Sequence, residues 1–418
     1  MDAPQTATGP LAGCRVLELG STVAGPFCGR LMADFGADVV KVEPPSGDPV
    51  RSMGRHQDGV SLYAASIFRN KRLICVDLSS ERGRDVIRAI VPRFDIVVEN
   101  FRPGGLEKWG LGYDDLARLN PGLIMVRISG FGQDGPYRER PGYGFLGDAM
   151  SSFLSINGFP DRPPVRAAVP VTDMLTALYG AYGAVLALLS RKSTGRGQCV
   201  DAALYESAFS LMESHVPAFD KLRENPRRSG SRLPGSTPNN LYPVAGGEVL
   251  AIAAASDSVF RRLAAAIGRP DLTTDPRFAT AVERVKHEDE VDAAITAWTQ
   301  TRGADEVEAI FRAADVPVSR VYTVSDVFAD PHYRARGMIA RAPSDELGEV
   351  AMTAPVPKLS GTPAEIRWAG RRIGQDTRAV LTELGAFTPS EIAELETQNA
   401  ILCAPDVKNP AGPVSLPV

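Results

Sequence analysis

A chain of 418 residues exceeds what one simple core supports, so a large domain with a smaller companion is expected. Hydrophobic residues make up 44% and charged residues 23%, which supplies a packed core and excludes a disordered chain. A formal net charge of −4, with no block of like charge, points away from a nucleic-acid binder.

The opening MDAPQTATGP lacks both the basic and the apolar stretch of a signal peptide. Strand and helix then alternate. Arg15–Leu19 (RVLEL) reads as a short apolar strand, and Pro26–Gly36 as a helix opened by proline and closed by glycine. DVVKVE is the second strand. RLICVDL (Arg72–Leu78), a helix over Glu81–Val91, DIVVEN, a helix over Tyr113–Leu119 and LIMVRISG continue the rhythm. Val- and Ile-rich strands separated by helices imply an α/β fold with a mostly parallel sheet covered on both faces. A long apolar helix is expected from Asp173 to about Ser190. Its ALYGAYGAVLALL run (Ala177–Leu189) is too short to span a bilayer and carries glycines, so no membrane is expected.

After a turn at Lys192–Gln198, CVDAALYESAF passes from strand into helix. Glu224–Asn240, rich in Pro, Gly, Ser and Arg, reads as a linker or loop. EVLAIAAA and helices near Arg261–Ile267, Glu283–Thr299 and Ala304–Ala314 make a smaller α/β domain. Two short strands around Met338 and Met352, joined by SDELGE, follow. TPSEIAEL (Thr388–Leu395) carries a capping box with proline at the first helical position. The Pro-rich end, Ala404–Val418, reads as a loose arm. The expected division is residues 1–223 for the first part of the large domain, 224–322 for the small one, and 323–418 for a return to the large domain and the arm. Five scattered cysteines (Cys14, Cys28, Cys75, Cys199, Cys403) without metal-ligand spacing fit reduced thiols and a cytoplasmic location.

ELGSTVAGPF sets Gly20, Gly25 and Gly29 around a strand-to-helix turn, but Ser21 and Thr22 break the G-x-G-x-x-G spacing of a dinucleotide site. The turn still suits an anion, which helix N-termini attract. His56, His215, His287 and His332 lie too far apart for a zinc set, so no metal is expected. No G-x-S-x-G elbow and no G-x-x-x-x-G-K-[ST] loop occurs. Asp173, in VPVTDMLTALYG, remains. Thr172 or Asp173 would serve as a helix cap, a contribution of roughly 1 kcal/mol. A carboxylate at a helix N-terminus is also held ionised by the dipole, and apolar neighbours strip its water, which suits a nucleophile. The local pattern does not choose between cap and nucleophile.

The longer motifs do. LAGCRVLELGSTVAGPFCGRLMADFGADVVKVEPPSGDPVR, NKRLICVDL, IVVENFRPGGLEKWGL, LNPGLIMVRISGFGQDGPY, PGYGFLGDAMS, VPVTDMLTALYG with the following TGRGQ, and IGQDTRAVLTELG occur in order. In these the chain resembles the family III coenzyme A transferases, which include formyl-CoA transferase, carnitine CoA-transferase and the α-methylacyl-CoA racemases. The resemblance implies a CoA-binding Rossmann-like domain, a ring-shaped protomer and an interlocked homodimer. It implies no tightly bound cofactor, with a coenzyme A thioester as substrate and a carboxylic acid as its partner. Asp173 stands where the family has its catalytic aspartate, which forms an acyl–aspartyl anhydride and then an aspartyl-CoA thioester.

Other positions carry over from the same likeness. Lys71 and Arg72 match a phosphate-contacting stretch, Asn100 and Phe101 the adenine and pantetheine side, and Lys108 a place where members often have Arg. Val23 replaces a glutamine of formyl-CoA transferase, which leaves backbone N–H groups for oxyanion contacts. LPGSTPNN stands for that enzyme's glycine-rich lid. Tyr143 stands where racemases have the histidine of a two-base exchange, so a racemase becomes the alternative, followed by a non-catalytic CoA-binding protein. VRSMGRHQDGVSLY (Val50–Tyr63) is expected to approach the acyl pocket. There Arg51, Arg55 and His56 offer cations for a second carboxylate, so a small dicarboxylic acid or its hydroxy derivative is expected on one side of the exchange.

Overall fold

Residues 8–405 are described by a computed structural model. They divide into two compact units. The larger comprises the chain up to Phe153, Ala167–Glu213 and everything from Arg334 onward; the smaller comprises Leu154–Arg166 and Ser214–Tyr333. Most of the Pro-rich arm expected at the C-terminus lies outside the described residues.

The larger unit begins with β1 (Arg15–Glu18), α1 (Ala24–Asp34) and β2 (Asp38–Glu43). A short hairpin, β3 (His56–Gln57) and β4 (Val60–Ser61), leads into α2 (Leu62–Ile67). β5 (Lys71–Val76), α3 (Glu81–Ile90), β6 (Ile96–Glu99), α4 (Tyr113–Leu119) and β7 (Ile124–Ser129) continue it. Next come α5 (Gly144–Met150), α6 (Val171–Thr194), β8 (Cys199–Ala203) and α7 (Leu204–Phe209).

In the smaller unit α8 (His215–Leu222) precedes β9 (Asn239–Pro243) and β10 (Val249–Ala253). Four helices follow: α9 (Asp257–Ala266), α10 (Ala281–Lys286), α11 (Glu288–Thr299) and α12 (Ala304–Ala313). β11 (Val318–Arg320) pairs antiparallel with β10, which pairs antiparallel with β9, and α13 (Val324–Ala329) comes after them. Tyr242, Phe260, Ile295 and Phe311 centre this unit's own core.

After α14 (Pro331–Ala335) the two short strands expected near Met338 and Met352, β12 (Ile339–Ser344) and β13 (Gly348–Thr353), pair as an antiparallel hairpin. α15 (Thr377–Glu383), α16 (Pro389–Thr397) and β14 (Ile401–Leu402) end it. The predicted capping box is present at α16, with Thr388 and Glu391 each satisfying the other's backbone N–H.

The main sheet runs β14-β5-β2-β1-β6-β7-β8, parallel throughout except for β14 at the edge. Side chains alternate between its two faces. Val16, Val39, Ile96 and Val126 meet α1 and α6. Leu17, Val40, Ile74 and Val97 meet α3, α15 and α16. Strand order reverses between β1 and β6, so the carboxyl ends of these strands frame the crevice where open α/β sheets bind ligands.

Helix α6 departs from expectation at its start. Pro170 holds the cap position without a side-chain cap bond, and Thr172 donates its hydroxyl to Asp148 instead. Asp173 therefore lies inside the first turn. The helix has 24 residues, so by length and composition it is able to cross a membrane, contrary to the estimate from its apolar run alone. Here its small residues Ala177, Gly180, Ala184 and Ala187 are buried. A Cβ on Gly180 would come within 3.0 Å of Val126 Cγ1, which is how closely the helix rides on β7.

Candidate active site

A cavity of about 210 Å³ opens where the chain leaves β1, β6 and β7. Ser21–Ala24 form one wall, Asn100 and Arg102 another, and Gly130, Gly142, Tyr143 and Asp173 close it. Glycines make this convergence possible. A Cβ on Gly142 would lie 2.5 Å from the Gly130 Cα, and one on Gly25 3.0 Å from the Gly20 Cα. Gly144 is tighter still, because its Cβ would sit 2.0 Å from Asp173 Oδ2. The carboxylate thus lies against bare backbone at the start of α5, in the first turn of α6 where the helix dipole favours an anion. A larger cavity of about 740 Å³ runs beside Leu178, Tyr182 and Val185. Its apolar lining offers no carboxylate or histidine, so size does not mark the reactive place.

The β1–α1 turn is stapled to the β6 end. Ser21 N–H donates to Asn100 Oδ1 at 2.7 Å, and Asn100 Nδ2 donates back to the Ser21 carbonyl at 2.9 Å. Below Asn100, Glu99 is fully buried, with Arg127 Nε at 2.7 Å and the Phe101 N–H at 2.7 Å. Burial pushes the Glu99 carboxyl up to about 7 against the opposing pull of Arg127 and the Phe101 N–H. Tyr63, in α2, has a hydroxyl sealed from solvent without a hydrogen-bond partner among the described residues. Burial, and then the charge of Asp173, raise its pKa.

The residues singled out from sequence fare unequally. Val23, Asn100, Tyr143 and Asp173 line one cavity. Phe101 is partly buried and packs edge-on against Trp109, with ring centroids 5.6 Å apart. Lys108 is exposed in the turn Glu107–Trp109. Lys71 requires correction: its ammonium is fully buried between Glu18 Oε2 at 2.7 Å and the Pro26 carbonyl at 2.6 Å, leaving no face for a phosphate. Burial pulls it down to about 8. Arg72 does not reach the cavity either. It pairs with Asp38 at 2.5 Å and Glu383 at 2.6 Å, at the amino-terminal ends of the strands. Arg55 and His56 are exposed on the β3–β4 hairpin and do not line the Asp173 cavity. Arg102 does, and it forms no ion pair among the described residues. The motif VENFRPG contains it, but nothing in its spacing distinguishes it from other arginines. No cluster of three or more His, Cys, Asp or Glu side chains suited to a metal occurs among the described residues.

Comparison with known proteins adds to this geometry. The model of CoA-transferase family III matches residues 11–377. A succinyl-CoA–D-citramalate CoA-transferase of Chloroflexus aurantiacus is 46% identical over 94% of this chain and 98% of its own length. The beta subunit of a succinyl-CoA–L-malate CoA-transferase from the same organism is 38% identical, covering 95% and 99%. Among solved structures, a CAIB/BAIF family protein from Brucella suis superposes with a TM-score of 0.81 at 34% identity, covering 90% of this chain and all of that one (100%).

Proposed function

The chain belongs to CoA-transferase family III and is a CoA-transferase, and from that premise we propose that Asp173 carries coenzyme A from a small dicarboxylic acyl-CoA to a carboxylic acid. The observation that carries this reading is Asp173 itself, the one carboxylate among the described residues that lines a cavity built at the strand-order reversal. Its oxygen attacks the thioester carbonyl, the C–S bond breaks, and CoA thiolate leaves an acyl–aspartyl anhydride. The thiolate attacks the aspartyl carbonyl, the donor acid departs, and an aspartyl-CoA thioester remains. The acceptor carboxylate attacks that thioester, and the thiolate released then attacks the new anhydride at the acceptor's acyl carbon, regenerating Asp173. Contact with bare backbone at Gly144 limits water around these hydrolysable intermediates. A racemase reading lacks support, since neither a histidine nor a second carboxylate lines the cavity among the described residues.

The acid class follows from Arg102 and from the relatives. Two proteins similar to this chain are named for citramalate and malate with succinyl-CoA. A guanidinium that lines the cavity without an ion pair among the described residues suits a second carboxylate. The protein works as an interlocked homodimer in the cytoplasm under this proposal. In support of the dimer, Leu178, Tyr182 and Leu189 expose an apolar row along α6. The test is kcat/KM for succinyl-CoA against butyryl-CoA, in wild type and in Arg102→Met. Succinyl-CoA should be preferred by at least about tenfold, and the substitution should shrink that ratio. Preference for butyryl-CoA would refute the dicarboxylate class. A ratio untouched by Arg102→Met would move the second carboxylate away from Arg102.

A further inference from the structure

Beneath the β1–α1 turn lies a charged cluster that the chemistry of Asp173 does not touch. Glu18, Lys41 and Lys71 are fully buried, and Asp48 nearly so. Lys41 Nζ reaches Asp48 Oδ2 at 2.9 Å, the Gly20 carbonyl at 2.7 Å and Glu18 Oε1 at 3.4 Å. Lys71 ties Glu18 to the Pro26 carbonyl in the first turn of α1. Two cations and two anions therefore balance within the core. Buried ion pairs add little net stability compared with apolar side chains of equal volume, so stability alone does not account for them.

What the cluster holds is a strained turn. Thr22 has φ of 67°, a left-handed conformation rare for a β-branched residue. Its N–H donates to Asp48 Oδ1 at 3.0 Å, and the Val50 N–H fixes that same oxygen at 2.9 Å. The next two N–H groups, of Val23 and Ala24, begin α1 at the wall of the Asp173 cavity. Neither donates to a protein acceptor among the described residues.

We propose that Asp48 is a positioning residue for acyl transfer: by holding the Thr22 N–H in this left-handed turn, it aims the Val23 and Ala24 N–H groups at the oxygen that becomes negative when the thioester is attacked. The inference rests on the reading of Asp173 as nucleophile. As the Asp173 oxygen bonds the carbonyl carbon, the C=O π pair moves onto that oxygen. It returns when the C–S bond breaks and the thiolate leaves. Donors fixed beforehand stabilise the oxygen without reorganising during the step.

Two variants separate this role from a merely structural one. Asp48→Asn keeps an oxygen for the Thr22 and Val50 N–H groups but removes the charge facing Lys41. Asp48→Ala combined with Lys41→Met removes the acceptor and leaves no ion unpaired. The readouts on the full chain are kcat, KM and Tm with succinyl-CoA as donor and L-malate as acceptor. The double variant should hold KM within about threefold and Tm within about 5 °C while kcat falls about 100-fold, the scale of a 1 Å misplacement. Asp48→Asn should lose Tm yet keep kcat within about threefold. The proposal is overturned if kcat simply follows Tm across the two variants, or if the double variant keeps kcat within threefold of wild type. Asp173→Asn, run alongside, distinguishes the failures. Normal transfer by that variant removes the nucleophile, whereas an inactive Asp173→Asn beside a fully active double variant removes only the role of Asp48.

Discussion

Gly144 sets how much of the site depends on a missing side chain. A Cβ there would lie 2.0 Å from Asp173 Oδ2 and 2.7 Å from its Cγ. Gly144→Ala must displace the carboxylate, so kcat should fall by about 100-fold or more while circular dichroism and binding of the CoA ester persist. A variant with wild-type kcat would contradict the close contact. Asp173 was legible because it opens an apolar helix within a recognisable motif. Gly144 was not, since the need for glycine comes from a carboxylate on another helix and not from its own backbone. Lys71 and Arg72 failed as phosphate contacts for the same reason. Their partners Glu18, Asp38 and Glu383 are remote in sequence, and no spacing rule announces them. Thr22 was visible only as a residue that breaks a glycine fingerprint, and nothing in the sequence singled out Asp48, whose partners Thr22 and Lys41 lie in other elements.

Strands and helices of the larger unit were readable because alternation of apolar residues dictates which face each strand presents. Val16 and Leu17, neighbours in sequence, enter cores on opposite sides of the sheet. β14 was not readable, since two residues carry no periodicity and its pairing with β5 is set by the fold. β6 ends in a titrating group that yields a prediction. The folded state holds the Glu99 proton more tightly than the unfolded chain, since the carboxyl rises from 4.5 to about 7. This contribution favours folding fully below about pH 4.5 and is lost as pH rises through 7. Glu99→Gln does not titrate. Its Tm relative to wild type should therefore increase between pH 5 and pH 8, by an amount on the order of 2–3 kcal/mol in stability. A difference that stays flat or shrinks over that range would show that Arg127 keeps Glu99 ionised throughout.

At the scale of the molecule, α6 joins the chemistry to assembly. Its first turn carries Asp173, one face lies on the sheet, and the outer row of Leu178, Tyr182 and Leu189 is more than half exposed (52%, 59% and 56%). An apolar row of this kind marks an interaction surface, and in the proposed interlocked dimer a second copy covers it. Interlocked protomers cannot separate without unfolding, so sedimentation at nanomolar concentration should find only dimer. A stable folded monomer at that dilution would rule out interlocking. Chain length suggested a large and a smaller domain, but it gave no sign that Leu154–Arg166 groups with the smaller unit, because membership there depends on contacts such as the Gly158–Gly230 bridge.

Covalent catalysis at Asp173 is open to trapping of the aspartyl intermediates. The protein is incubated with succinyl-CoA, quenched with hydroxylamine and digested for mass spectrometry. A hydroxamate is expected on the peptide containing Asp173, present only with the acyl-CoA and absent from Asp173→Asn, which should also lose transfer while remaining folded. Full transfer by Asp173→Asn, or a hydroxamate on another residue with Asp173 unlabelled, would contradict covalent catalysis at Asp173.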